Sequence, residues 1–443
     1  MTATLPPRPG APAHRRTVGA TVAGNLVEHF DWLGFALFAP IFATQFFPSA
    51  DPVNALLSIF AVFAAGMFFR PLGGILLGRY ADRRGRKPAM LAAIVLMGGG
   101  CVLIGLAPTY DQIGVAAPLL LVVGRAAQGL SAGGEWPAAV TYLMELAPAA
   151  RRCFYSSLFA MSAVAGALIA SLLGAGLSTV LSPAALTAWG WRVPFLLGGV
   201  FAAVLLGYRR RLAESAVFER TVRESSARGS FRQLLRVHWR SLLLATVFSG
   251  GTTWTTSTWI SVIPAMGQRN SSPGTMFWVV VLATAVAVVI QLPLGMLADR
   301  IGVRPLLAAS VLGFAIVGPF AFLGMGSTFG GLLFSYGSGV LFIACLTAVL
   351  PKIMAAMYPA EVRAMGIGLP QGITTALFGG TSPWVATYLT SRGAGAWFMA
   401  TVVVAVLVAW LAASIAVRRF VTAGPRVAVA ADGGDATELR TAA

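Results

Sequence analysis

Gly78-Arg-Tyr-Ala-Asp82-Arg83-Arg-Gly85-Arg86-Lys87 recurs 217 residues later as Gly295-Met-Leu-Ala-Asp299-Arg300-Ile-Gly302-Val-Arg304. Each copy joins two long apolar stretches, so each reads as a polar, glycine-bearing turn between helices. A second echo, Pro148-Ala-Ala-Arg-Arg152 against Pro359-Ala-Glu-Val-Arg363, follows at an offset of 211. The same loops in the same order point to two copies of one helical unit, the parallel-repeat design of a transporter whose halves rock about a central site. The glycines Gly78 and Gly85 allow a tight turn and close helix approach. Asp82 and Asp299 are expected to cap the following turn or to pair with nearby arginines (Arg83, Arg86, Arg300), holding one face shut in one conformation. The alternative is that these loops serve only as positively charged topology anchors.

Composition sets the medium. Of 443 residues, 57% are hydrophobic and 11% charged, where a soluble domain carries about a quarter charged. At about 20 apolar residues per helix plus a loop, the chain accommodates roughly twelve spans. Apolar stretches fall at about 18–46, 54–77, 88–107, 113–146, 153–177, 191–208, 241–265, 274–297, 305–325, 329–354, 365–390 and 394–417. The fourth must outrun the hydrocarbon or bend near Pro137. In lipid, helices satisfy their own backbone groups, so the fold is expected to be all-α, with twelve transmembrane helices in two six-helix pseudo-repeats. A net charge of +17 would suggest nucleic acid in a soluble protein; here it indicates a lipid bilayer with asymmetric flanking charge, and no nucleic-acid partner is expected.

Arg and Lys avoid translocated loops. With the N-terminus inside, the inner segments hold 27 of the 32 Lys and Arg, leaving Arg70, Arg125, Arg192, Arg269 and Arg392. Moving the count by one helix reverses the bias, so both termini are expected in the cytoplasm. The expected divisions are an N-tail (1–17), a first bundle (18–208), a cytoplasmic linker (209–240), a second bundle (241–417) and a C-tail (418–443). The N-tail is Pro-rich and basic and lacks the pattern of a cleaved signal peptide. The Arg-rich linker reads either as an amphipathic segment on anionic headgroups or as a solvated hinge. Cys101, Cys153 and Cys345 lie far apart, indicating neither a disulfide framework nor a zinc site, and read as small packing residues.

Ionisable groups inside a membrane cost about 2.5–3.5 kcal/mol each on insertion scales. Glu28 lies ten residues into the first span, about 15 Å along it, and Asp31 follows one turn later on the same face. In the fourth span Arg125, Gln128 and Glu135 form a second polar stripe. Burial disfavours a charged carboxylate and a nearby arginine favours it, so a carboxylate that exchanges its arginine partner can bind and release a proton. Glu28, Asp31 and Glu135 are therefore the candidate proton-coupling groups, and Arg125 and Gln128 candidate substrate ligands. A static buried pair, Arg125 with Glu135, is the alternative. In the seventh span, Gly250-Gly-Thr-Thr-Trp254-Thr255-Thr-Ser-Thr258-Trp259 offers hydroxyls and indoles. It reads as a substrate wall through Trp254, Thr255 and Thr258, or as hydroxyls bonded to their own helix or gluing helices together. Tyr336 is a further candidate of the same kind. His29, beside Glu28, is a possible modulator.

These features resemble a known family. The doubled loop is similar to the signature of the major facilitator superfamily, and Arg125-x-x-Gln128-Gly129 resembles its fourth-helix motif. Gly24-Asn25-Leu-Val-Glu28-His-Phe-Asp31 resembles the opening of the metabolite:proton symporters, as do Arg70-Pro-Leu-Gly-Gly74, Gln128-Gly-Leu-Ser-Ala-Gly-Gly-Glu135 and Trp189-Gly-Trp-Arg-Val-Pro-Phe195. That family includes α-ketoglutarate, citrate, shikimate and proline/betaine permeases. The resemblance implies a central cavity lined by spans 1 and 4, with Asn25 a further substrate contact, and inner gates that involve Glu145, Arg152 and Arg363. The chain departs from the pattern at His29, where an aromatic is usual, and at Trp32, where Phe is common. Ala356 replaces the Glu that would mirror Glu145.

The expected function is proton-coupled symport of a small metabolite, an organic acid above all, by a functional monomer in the cytoplasmic membrane. Uptake of a zwitterionic osmolyte and proton-driven drug efflux are the alternatives; the tail lacks the heptads of some osmosensing relatives. An intramembrane enzyme lacks its constellation here, since there is no His-Glu-x-x-His, no Cys/His cluster and no Gly-x4-Gly-Lys-Ser/Thr loop. No cofactor is expected, and without a nucleotide loop the energy must come from a gradient.

Overall fold

The computed structural model describes residues 11–49, 51–84, 86–210, 231–359 and 362–422, and these contain helices and no strand. The first six spans are Ala11–Phe46, Pro52–Phe68 continued by Arg70–Arg84, Arg86–Gly105, Ala116–Leu146, Arg152–Val180 and Val193–Arg210. After a short helix, Phe231–Val237, the second six are Trp239–Ser257 continued to Asn270, Pro273–Ile301, Val303–Leu323, Phe329–Thr347 continued by Leu350–Ala356, Arg363–Thr374 continued to Ser391, and Gly395–Ala416. Among the described residues nine helices are long and apolar enough to cross a membrane. The fourth, seventh and eleventh spans are not among the nine. The fourth carries Arg125 and Gln128, and the other two contain π-helical turns at Thr258–Val262 and Thr375–Gly379. The fourth span is one continuous helix of 31 residues with Pro137 inside. At 1.5 Å per residue it outruns a hydrocarbon core of about 30 Å.

Local chemistry sets the ends. Asp51 accepts from Val53 N at 2.9 Å with Pro52 in the first turn, and Ser272 caps Thr275 N at 3.2 Å ahead of Pro273. Both follow the preference for a short acceptor at the N-cap and proline just inside. Gly302, between spans 8 and 9, has φ +89°, a conformation open to glycine at little cost. Gly295 in the same motif is needed for another reason, since a Cβ there would collide with Ser157 and the Cys153 carbonyl of the fifth span. Of the repeated glycines in this copy, one makes the turn and the other brings helices together.

Glycine also sets the crossing of spans 2 and 4. A Cβ at Gly129 would overlap the Gly66 backbone, one at Gly133 the Arg70 backbone, and one at Gly73 the Leu130 backbone. This backbone-to-backbone contact is what small residues achieve in membranes, and it places Arg70 against Arg125's helix. Gly129→Val is expected to push the two helices apart. The yield of monodisperse protein on size-exclusion chromatography should fall by at least about threefold, on the scale of 1–3 kcal/mol for overpacking; an unchanged yield and melting profile would refute this packing.

Two apolar cores each contain residues of both halves. At one end Phe38, Phe42 and Trp191 share a cluster with Trp259, Ile263 and Phe277. The Phe38 and Phe277 rings lie 5.1 Å apart, and Gln268 Nε2 donates to the Leu37 carbonyl at 2.9 Å. At the other end Leu143, Met144 and Phe159 join Leu306, Ile353 and Met354. The halves therefore touch at both ends.

At the two ends of the expected linker, Arg209 and Arg210 continue the sixth helix and Trp239 and Arg240 open the seventh; Arg209 has a buried partner, given below. Residues 211–230 of the linker, 1–10 of the N-tail and 423–443 of the C-tail lie outside the described residues.

Candidate functional site

The site grows from one face of the first helix. Glu28 and Asp31, one turn apart, are 5% and 7% exposed, and each meets an arginine from another helix. Arg70 Nη2 lies 3.0 Å from Glu28 Oε1. Arg125 Nη1 lies 3.2 Å from Asp31 Oδ2 and donates to Gln128 Oε1 at 2.7 Å. Gln128 Nε2 donates to Asp31 Oδ1 at 2.7 Å, and the Cys101 thiol donates to the same oxygen at 3.2 Å. The Arg125 guanidinium also sits over Phe35, 4.5 Å from its ring centre, an attractive contact for a desolvated cation. Both acid–arginine pairs border a single small cavity of about 10 Å³, also lined by Trp32, Gly66 and Gln128. That is room for the centre of about one water molecule.

Two members of this cluster go beyond the sequence-based expectations. Arg70 stands in the middle of the second span, where a lone arginine needs a counter-ion; that requirement is the signal that could have paired it with Glu28. Cys101 reads as a packing residue in the sequence, yet its thiol faces Asp31 and Gln128. No spacing in the chain links residues 31, 101 and 128.

Glu135 is placed elsewhere. It bonds Arg209 Nη2 at 2.6 Å, not Arg125, and it is not on the cavity wall. A Cβ on Gly24 would strike both partners, so the first helix passes directly over this pair. Asn25 also faces away, donating to the Phe159 carbonyl at 2.9 Å and to Ser162 at 2.8 Å, which ties the first span to the fifth. His29 Nδ1 donates to the Asn25 carbonyl at 2.9 Å.

The hydroxyls of Ser249, Thr252, Thr255, Ser257 and Thr258 in the seventh span are engaged with helices. Thr255 and Thr258 donate back to Gly251 and Trp254 carbonyls, each at 2.8 Å. Thr258 and Ser382 lie 3.2 Å apart, and Ser249 donates to Gln371 at 2.6 Å. Trp254 Nε1 reaches Thr401 of the twelfth span at 3.3 Å. Tyr336 is buried in the apolar cluster that holds Trp259. None of these lines the cavity beside Glu28 and Asp31. In this conformation they join spans 7, 11 and 12, as hydroxyls in membranes commonly do.

The second copy of the repeated loop acts across the halves. Asp299 accepts from the backbone N–H groups of Cys153 and Phe154, both at 2.9 Å, capping the fifth helix in the other half instead of its own following turn. That helix start has orphan donors and the positive end of its dipole, so it attracts a carboxylate. Lys352 Nζ lies 3.8 Å from Asp299 and 3.3 Å from the Cys153 sulfur. Arg363 Nε donates to the Ala355 and Tyr358 carbonyls, while Arg152 and Arg300 are exposed. The side chains of Asp82, Arg83, Arg86 and Glu145, with Gly78 and Gly85, lie outside the described residues. Asp299→Ala removes an N-cap worth about 0.5–2 kcal/mol. Cys153, fully buried here, is then expected to react with a maleimide about 2- to 30-fold faster. An unaltered labelling rate would show that Asp299 does not hold this end shut.

Comparison with known proteins agrees with this architecture. The Major Facilitator Superfamily profile matches residues 21–270. The chain is 36% identical over 406 residues to the alpha-ketoglutarate permease of Escherichia coli K12, covering 89% of this chain and 91% of that one. It is 34% identical over 403 residues to the citrate-proton symporter of Klebsiella pneumoniae, covering 87% and 88%. The partially occluded inward-open structure of the E. coli xylose transporter superposes with a TM-score of 0.71 at 17% identity, over 90% of this chain and 98% of that one; it shows a shared fold. Two six-helix halves and the duplicated loops thus have a common explanation. This chain is a multi-pass membrane transporter, not an enzyme, and belongs to the metabolite:proton symporters of the Major Facilitator Superfamily.

Proposed function

We propose that the protein carries a small organic acid across the cytoplasmic membrane together with protons, by alternating access, as a functional monomer with both termini in the cytoplasm. The observation that carries this reading is the pairing of two buried carboxylates with two arginines around one cavity. Arginine holds a carboxylate by charge and geometry, and Glu28 and Asp31 occupy both cations in this conformation. For an acid to bind, at least one resident carboxylate must give up its arginine. Protonation releases it, so proton and substrate arrive together.

The two carboxylates differ in how much they would lose. Asp31 accepts from Arg125, Gln128 and Cys101, and neutralising it undoes that network. Glu28 has Arg70 alone among the described residues. Glu28 is therefore the proton carrier, and Asp31 holds Arg125 in place. The Arg70 that protonated Glu28 releases, together with Arg125 and Gln128 beside it, receives the substrate carboxylate. On this reading Glu135 with Arg209 fastens the helices instead of carrying a proton. The seventh span contributes Trp254, Thr255 and Thr258 to the substrate path only after the halves part.

Uptake of labelled organic acids, betaines and sugars into proteoliposomes, with and without an imposed pH gradient, tests the reading. Accumulation of an acid that needs the gradient is expected. The same acid–base pairs would also suit a zwitterion, whose ammonium group could face Glu28. Gradient-driven uptake of betaine with no uptake of acids would replace the organic-acid reading by an osmolyte one, and extrusion of amphiphilic cations would replace both.

A further inference from the structure

Every residue bordering the central cavity, from Glu28 to Ala132, belongs to the first half. The acid–arginine pairs therefore lie within one bundle, and parting the halves does not by itself break them. The second half reaches the acid-bearing helix elsewhere. Gln268, at the end of the seventh span away from Asp299, donates from Nε2 to the Leu37 carbonyl at 2.9 Å. Leu37 is six residues beyond Asp31, about 9 Å along the same helix. Pro40 lies inside that helix; it offers no N–H to the Ala36 carbonyl one turn back, and its ring crowds that carbonyl and bends the helix. Gln268 takes the neighbouring carbonyl. Among the described residues this is the one side-chain hydrogen bond between the halves at that end.

We propose that Gln268 is a positioning residue of the transport cycle, the latch by which the seventh span holds the first helix and closes this end of the molecule. The side chain is 8% exposed, and its Oε1 has no partner among the described residues. An apolar side chain would sit beside Phe38, Ile263 and Phe277 without stranding that acceptor. What the amide adds is one directional bond across the seam. A single neutral hydrogen bond is worth little net free energy, so it can break and re-form in a cycle that opens each end in turn. It also ties closure of this end to the helix that presents Glu28 and Asp31. The inference rests on the alternating access proposed above and not on the identity of the acid.

The test labels the detergent-solubilised protein with a maleimide and reads two thiols separately by peptide mass: Cys153 at the Asp299 end, and the thiol of Ala265→Cys at the other. Ala265 is 2% exposed and one turn before Gln268 on the same face, so its replacement reports opening of that end. Gln268→Met keeps the length of the side chain and removes the donor. The added thiol is expected to label about 2- to 10-fold faster, the range of one net hydrogen bond. Cys153 should label no faster, because population drawn to one open state is lost to the other. An unchanged rate at the added thiol overturns the assignment, and so does faster labelling of both thiols, which a general loosening would give. Gln268→Glu, whose ionised form sets an acceptor against the Leu37 carbonyl, should shift the rates the same way and decides if Gln268→Met fails to reach the membrane. Asp299→Ala distinguishes the two readings: if it speeds Cys153 alone while Gln268→Met changes nothing, only the latch falls. If neither change stays confined to its own end, alternating access falls with it.

Discussion

Glu28→Gln is expected to abolish concentrative uptake while leaving substrate exchange across the membrane intact. The amide is nearly isosteric with the acid and still offers an oxygen to Arg70, 3.0 Å away in the native pair, but it cannot take up a proton. For one proton per acid anion, a pH difference of one unit is worth about 1.4 kcal/mol, a tenfold accumulation. In the variant that ratio should fall to one, because the halves can still rock with substrate bound but no longer couple the movement to protons. Counterflow of unlabelled against labelled acid, which needs no net proton movement, should persist at a rate within a few fold of the original. If accumulation continues to follow the pH gradient in Glu28→Gln, Glu28 is not the carrier and the single-partner argument fails. Because Glu28 and Asp31 are one turn apart yet held by different helices, the contrast with Asp31→Asn is informative. That change strips acceptance from Arg125, Gln128 and Cys101 together and should slow exchange as well.

The duplicated loop disclosed the fold because a repeat of polar, glycine-bearing turns can only join helices in this composition. It also named the glycines whose roles the structure separates at Gly295 and Gly302. Glu28, Asp31, Arg125 and Gln128 were legible as buried polar groups because each is expensive to bury in a membrane without a partner. Partner choice was not legible. Arg125 and Glu135 share a helix stripe, which suggested pairing, but ten residues at 1.5 Å per residue separate them by about 15 Å along the axis. The structure instead gives Arg125 to Asp31 and Glu135 to Arg209. Arg209 looked like linker because it opens a run of three arginines. The seventh-span hydroxyls were ambiguous for a local reason: serine and threonine can bond their own helix whatever lies beyond it, and only coordinates show which choice each one makes.

Removing the cation at the centre should have the largest cost to the fold. Arg125→Gln leaves Asp31 buried without a cation, since Gln128 and Cys101 supply hydrogen bonds but no charge. Breaking a buried pair by deleting one partner typically costs about 3–5 kcal/mol, and the loss of the stack on Phe35 adds to it. The single variant is therefore expected to lose transport entirely and to melt well below the original in detergent. The double variant Asp31→Asn with Arg125→Gln separates the two losses. With both charges gone, the stranded carboxylate no longer penalises the folded state, so most of the lost thermal stability should return. Transport should not return, because a group that receives the substrate carboxylate is still missing. Had Arg125 served only to neutralise Asp31, the double variant would transport as well as it folds, so recovery of uptake along with stability would refute its assignment to the substrate.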